Sequence, residues 1–209
     1  MNQKYCLPLF LIFTCFQSAH AAGVGWFNSH DSHFGLVYTE YSGERFESFS
    51  SATSAYGLEF TGTVSNRFVG FHGGVGAGTI SGQETLQDGS TERTLAISGY
   101  YTNAHLGFQL NLVPGKEFRL RPYLGAYGLV EFNYIRLPSE TTYDELATTT
   151  SDLSLGYVLA FGVAFKSELN SRKAWDLTFE TRFRALETSI FDQDPFSLGG
   201  ISFVLGFGY

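Results

Sequence analysis

From Phe34 onward the chain alternates bulky apolar residues with small or polar ones, the period of a β-strand rather than of a helix. The clearest case puts Ile201, Phe203, Leu205, Phe207 and Tyr209 on one face and Gly200, Ser202, Val204, Gly206 and Gly208 on the other. Another sets Trp175, Leu177, Phe179 and Phe183 against Asp176, Thr178, Glu180, Arg182 and Arg184. The same reading predicts eight strands: Phe34–Tyr41, Tyr56–Ser65, Phe68–Ile80, Thr94–Val113, Phe118–Ile135, Leu153–Lys166, Ala174–Ala185 and Leu198–Tyr209. In the fourth, Leu95 and Ile97 have the opposite phase from Leu106, Phe108, Leu110 and Leu112. Either a bulge near Gly99 or an outer stretch with unconstrained phase accounts for this.

The connections alternate in length. Those at 65–67, 114–117 and 166–173 are short, and those at 42–55, 81–93, 136–152 and 186–197 are longer and rich in Ser, Thr, Asp, Glu and Gly. Acids prevail in the long ones (Glu44, Glu47, Glu84, Asp88, Asp144, Glu145, Asp192, Asp194) and bases in the short ones (Arg67, Lys116, Arg119, Arg121, Arg172, Lys173). The sorting by charge agrees with a sorting made on length alone. It predicts an up-and-down arrangement with loops at one end and turns at the other.

The first residues follow another pattern. Lys4 precedes an apolar run from Leu7 to Phe16, and Ala19-His20-Ala21 supplies a small-residue site. This is the layout of a cleaved secretory signal peptide over residues 1–21, with residues 22–209 as the exported domain. Cys6 and Cys15 leave with it, so disulfides, thiol catalysis and cysteine-based zinc sites are excluded from the exported domain.

Composition then selects the solvent. Charged residues are 16% of the chain and aromatic residues 17%, against roughly 25% charged in soluble domains. The net charge of -7 excludes general nucleic-acid binding. A period-two pattern in so apolar an exported chain fits a barrel whose bulky face meets lipid and whose polar face lines the interior. Aromatic residues near strand ends (Tyr56, Phe118, Tyr134, Trp175, Phe207, Tyr209) suit the two interfacial girdles of such a barrel.

At this point the chain resembles the small outer-membrane β-barrel proteins of Gram-negative bacteria, the OmpA/OmpX/OmpW-like class. The resemblance rests on the aromatic ending with its alternating residues (Ile201, Phe203, Leu205, Phe207, Tyr209). It rests also on the stretch Arg121-Pro122-Tyr123-Leu124-Gly125-Ala126-Tyr127-Gly128 and on the eight-strand spacing. It implies an all-β fold, an eight-stranded antiparallel up-and-down transmembrane barrel in the cell outer membrane. It implies contact with outer-membrane lipid and lipopolysaccharide, and reading of the final strand as an assembly signal by the barrel-assembly machinery. It carries no catalytic residue and no cofactor, and a monomer is expected.

An eight-stranded barrel is just wide enough for its own side chains to fill. Phases taken from the apolar faces send Glu59, His72, His105, Gln109, Asn111, Tyr123, Tyr127, Glu131, Asn133, Asp176, Glu180, Arg182 and Arg184 inward. Strand seven faces strand three, whose Gly70, Gly74, Gly76 and Gly78 are expected to leave room for the arginines. A polar network is predicted in which Arg182 and Arg184 pair with Glu59, Glu131 and Glu180, since buried charges persist only when paired. Such a network would close the lumen. The functional expectation is a non-enzymatic integral outer-membrane protein with a structural or surface-interaction role. The alternatives are a narrow channel for ions or small hydrophobic compounds and a lipid A-modifying enzyme.

Other chemistry reads weakly. His30-Asp31-Ser32-His33 has the look of a metal clip, but precedes the first predicted strand and is expected to be a solvated tail. No metal site is assigned. The acidic loops lack calcium-loop spacing and read as a solvated anionic rim, where a host or phage receptor would meet the protein.

Overall fold

The computed structural model describes residues 29–42, 53–88, 91–113, 118–136, 149–167, 175–188 and 196–208. The leader expected over residues 1–21 and Tyr209 lie outside them. The described residues form β1 (Ser29–Ser42), β2 (Thr53–Ser65), β3 (Val69–Asp88), β4 (Thr91–Asn111), β5 (Leu120–Arg136), β6 (Thr149–Lys166), β7 (Asp176–Thr188) and β8 (Phe196–Gly208). These eight strands pair in chain order as a closed antiparallel barrel, β8 returning to β1. Closure gives each strand two hydrogen-bonded neighbours, the condition for extended backbone to cross a hydrocarbon layer.

The strands are staggered. Stepping between paired residues from Asp31 through Thr63, His72, Gly107, Tyr127, Val158, Arg184 and Gly200 returns to β1 at Tyr41, ten residues further on. Alternation keeps one phase around this circuit, so the inward set is continuous. Outward positions carry large apolar groups, Phe108 at 65% and Leu155 at 62% exposure, while Glu131 at 0% and Glu59 at 2% are enclosed. This inverts the arrangement of a water-soluble sandwich and makes the wall a lipid-facing one. Trp175 stacks on Phe207 at the turn end, and Tyr38 meets Tyr56 nearer the loop end.

Two expectations are corrected. The segment His30–His33 is the beginning of β1, not a tail: each residue pairs with β2, from His30↔Val64 to His33↔Thr61. The stretch 81–93 is mainly strand. β3 and β4 pair without interruption from Val69↔Leu110 to Asp88↔Thr91, so no bulge occurs at Gly99. The β2 partner of β3 stops at Ser81, and the β5 partner of β4 begins at Ser98. Gly82–Asp88 and Thr91–Ile97 therefore pair only with each other, as a two-stranded ribbon beyond the barrel rim. Leu95 and Ile97 lie on that ribbon, outside the wall whose alternation fixes the phase.

Candidate functional site: the charged lumen

The inward face of β7 supplies Asp176, Glu180, Arg182 and Arg184 in succession, and β2, β5 and β1 place partners opposite. The Arg182 guanidinium donates through Nη1 to Glu59 Oε2 at 2.6 Å and through Nη2 to Glu59 Oε1 at 2.7 Å. Its Nε donates to Glu180 Oε1. Glu180 Oε2 accepts from the Tyr123 hydroxyl at 2.8 Å and from the Tyr127 hydroxyl at 3.3 Å. One plank of charge thus crosses from β7 to β2 with every Arg182 nitrogen in use.

A second plank lies nearer the loop end. Arg184 Nη2 donates to Glu131 Oε2, and its Nη1 donates to Thr39 Oγ1 at 3.3 Å. Tyr41 donates to Glu131 Oε1 at 3.3 Å, with the Arg184 guanidinium 5.5 Å above its ring. Thr39 and Ser202 hydroxyls meet at 2.8 Å. Beyond this plank Tyr41, Ala55, Ile80, Tyr101, Ile135 and Leu186 form an apolar plug toward the loop end.

Three rings pack beside the first plank: His72 on Tyr127 at 4.7 Å, His72 on His105 at 5.2 Å, and His105 on Tyr127 at 5.4 Å. The two imidazole Nε2 atoms are 3.2 Å apart, Thr63 Oγ1 is 2.8 Å from His72 Nδ1, and His105 Nδ1 is 3.9 Å from Glu59 Oε2.

Toward the turn end the lumen holds a polar recess. It is small, about 40 Å³, and open to solvent at its mouth, with Glu59, Glu180, Arg182 and His72 among its walls. Charge pairs also stand here. Lys166 Nζ lies 2.8 Å from Asp31 Oδ1, and Arg121 Nη2 lies 3.7 Å from Asp31 Oδ2. His33 Nε2 and Asp176 Oδ1 approach to 2.9 Å, although neither atom finds an aligned hydrogen bond.

The five residues singled out for a lumen network, Glu59, Glu131, Glu180, Arg182 and Arg184, therefore stand in contact in two groups. Ile201, Phe203, Leu205 and Phe207 of the final strand face outward and are exposed. His72, His105, Tyr123, Tyr127, Asn133 and Asp176 are buried inward, and Gln109 and Asn111 are half-buried along the recess.

The glycines of β3 serve a purpose other than the one expected. A Cβ at Gly74 would lie 2.6 Å from His105 Cε1 and one at Gly76 2.7 Å from Asn103 Oδ1, both on β4. One at Gly78 would run into the Tyr56 carbonyl of β2 and Tyr101 Cε1 of β4, and one at Gly70 would meet Ser65 and Thr63 of β2 at 3.0 and 3.1 Å. They make room for the neighbouring strands β2 and β4, not for arginines from β7. Sequence reasoning also missed Tyr41, Thr39 and Ser202 as partners. Tyr41 stands in the sequence only as the end of the first predicted strand, and the two hydroxyls carry no distinguishing signal.

No protein-family model matches the chain, and no curated protein matches it. Among solved structures it is similar to Neisserial surface protein A, NspA, with TM-score 0.52 and 12% identity, over 86% of this chain and 97% of that one. The chain has the fold of the small outer-membrane β-barrels. Ail, the attachment invasion locus protein of Yersinia pestis, gives TM-score 0.48 and 9% identity over 86% of this chain and 96% of that one. The outer membrane protein OprG from Pseudomonas aeruginosa gives 0.49 and 13%, over 86% and 91%.

Proposed function

We infer that this protein is exported and inserted in the outer membrane of a Gram-negative bacterium as a closed barrel. There it acts without enzymatic chemistry, as a structural and surface-interaction element. The observation that carries this reading is the pair of charged planks across the lumen. They occupy the section through which a solute would pass, and moving either one unpairs buried charge, a loss of about 3–5 kcal/mol. The ribbon formed by the outer parts of β3 and β4 gives the loop end a projecting surface on a rigid support, the arrangement by which loops usually carry binding. The described histidine side chains, His33, His72 and His105, all face the lumen, which argues against a lipid-facing hydrolase acting on acyl chains.

A narrow ion pathway is the second reading, favoured by the recess that runs from the turn end to Arg182. Planar bilayers containing the purified protein separate the two. The closed reading expects no steady conductance steps from the native chain. Large, steady steps would replace it with the channel. Unchanged lipid A mass on overexpression is expected in either case.

A further inference from the structure

The outer surface carries few charges among the described residues, and their placement is sorted. Among the described residues the exposed charged side chains are Glu40 and Glu187 toward the loop end and Arg67 and Arg119 at the turn end. Both arginines adjoin a phenylalanine that faces outward, Phe68 at 55% and Phe118 at 51% exposure. Each doublet is held by the backbone beside it. Asn66 Oδ1 accepts the Phe68 and Val69 amides at 2.8 Å, and Phe68 O accepts the Asn111 amide at 2.7 Å. Arg119 O accepts the Lys166 amide at 2.8 Å. Neither guanidinium makes an ion pair or hydrogen bond with another described residue. By contrast Arg121, two residues along and inward, is committed to Asp31.

We propose that Arg67-Phe68 and Phe118-Arg119 each form a headgroup site for anionic glycerophospholipid in the leaflet at the turn end, guanidinium on phosphodiester and phenyl ring among acyl chains. A guanidinium matches two phosphate oxygens at once, and an aromatic ring at the same depth fixes the distance between headgroup and hydrocarbon. The acids of the opposite rim would repel the same headgroup. The assignment rests on the outer-membrane reading above, because that reading turns this end toward the phospholipid leaflet.

The test is native mass spectrometry of the refolded full chain in detergent, with phosphatidylglycerol or phosphatidylcholine of matched acyl chains. The native chain should retain phosphatidylglycerol in preference by about fivefold per arginine, and added sodium chloride should erode the preference. Arg67→Gln with Arg119→Gln should bring the two lipids to parity. Glu40→Gln with Glu187→Gln should leave the preference in place. No preference in the native chain overturns the proposal, as does a preference that survives loss of both arginines. Displacement by inorganic phosphate at equal concentration would assign the site to the free anion instead. Gel migration before heating reports the barrel separately. A native chain that forms no barrel defeats both readings, whereas a barrel without lipid preference defeats only this one.

Discussion

Arg182 of β7 grips both carboxylate oxygens of Glu59 on β2 at 2.6 and 2.7 Å, across the lumen and not along the wall, while its remaining nitrogen engages Glu180. The arrangement is asymmetric, and the asymmetry is measurable. Removing Glu59 leaves Arg182 with Glu180 as counter-ion, but removing Arg182 leaves two buried carboxylates unpaired. Arg182→Leu is expected to lower unfolding free energy by about 3–5 kcal/mol and Glu59→Leu by less. Urea unfolding in lipid vesicles would show it. Equal losses would mean that Glu180 does not share the charge.

The second plank separates a hydrogen bond from a ring contact. Tyr41→Phe removes the hydroxyl that donates to Glu131 at 3.3 Å and is shared with Arg184, and keeps the ring beneath Arg184. A loss of about 1 kcal/mol is expected. Tyr41→Leu removes both contacts and should lose more, by about 0.5–2 kcal/mol. If the two variants unfold at the same urea concentration, the ring contributes nothing beyond its volume.

Gly76 is paired in space with Asn103. An added Cβ would stand 2.7 Å from Asn103 Oδ1, and that oxygen has no hydrogen-bond partner to lose. Gly76→Ala should destabilise the barrel by about 1–3 kcal/mol through overpacking. Asn103→Ala in the same chain should restore most of the loss. A double variant no better than Gly76→Ala would locate the strain in the backbone, where Leu58 O is the next neighbour at 3.3 Å.

What could be read in the sequence follows from what constrains each residue. The inward placement of Glu59, Glu131, Glu180, Arg182 and Arg184 was legible because the same strands carry Phe60, Val130 and Phe183 on the other face. A one-residue slip would put every charge in lipid. The outer parts of β3 and β4 were not legible because Gly82–Asp88 and Thr91–Ile97 pair only with each other, so no third strand enforces a phase. The start of β1 was hidden for a different reason. Asp31 and His33 are polar because they face a charged recess, and a polar run at a strand end reads like a tail. The role of Gly74, Gly76 and Gly78 depends on register, since only the pairing Gly74↔His105 shows which large side chain leans over which glycine.

Tyr209 follows Gly208, the last residue of β8, which pairs with both His33 and Asp176. Deleting Tyr209 is expected to impair insertion while leaving export intact, so the variant should collect in the periplasmic fraction instead of at the surface. Normal surface display would remove the assembly-signal role from this residue.

The ribbon beyond the rim should be separable from the barrel. Its strands pair with each other from Gly82↔Ile97 to Asp88↔Thr91 and with neither β2 nor β5. Replacing Glu84–Leu95 with a two-residue Asn-Gly turn leaves Ser81 and Ser98 in register and supplies the turn that a two-residue hairpin favours. The shortened chain should migrate before heating as the native one does and unfold within about 0.5 kcal/mol of it. Whatever partner binds the loop end through the ribbon should be lost together with it. A shortened chain that no longer closes would mean that the ribbon nucleates the β3–β4 pair during folding, even though it adds nothing to the wall once the barrel has formed.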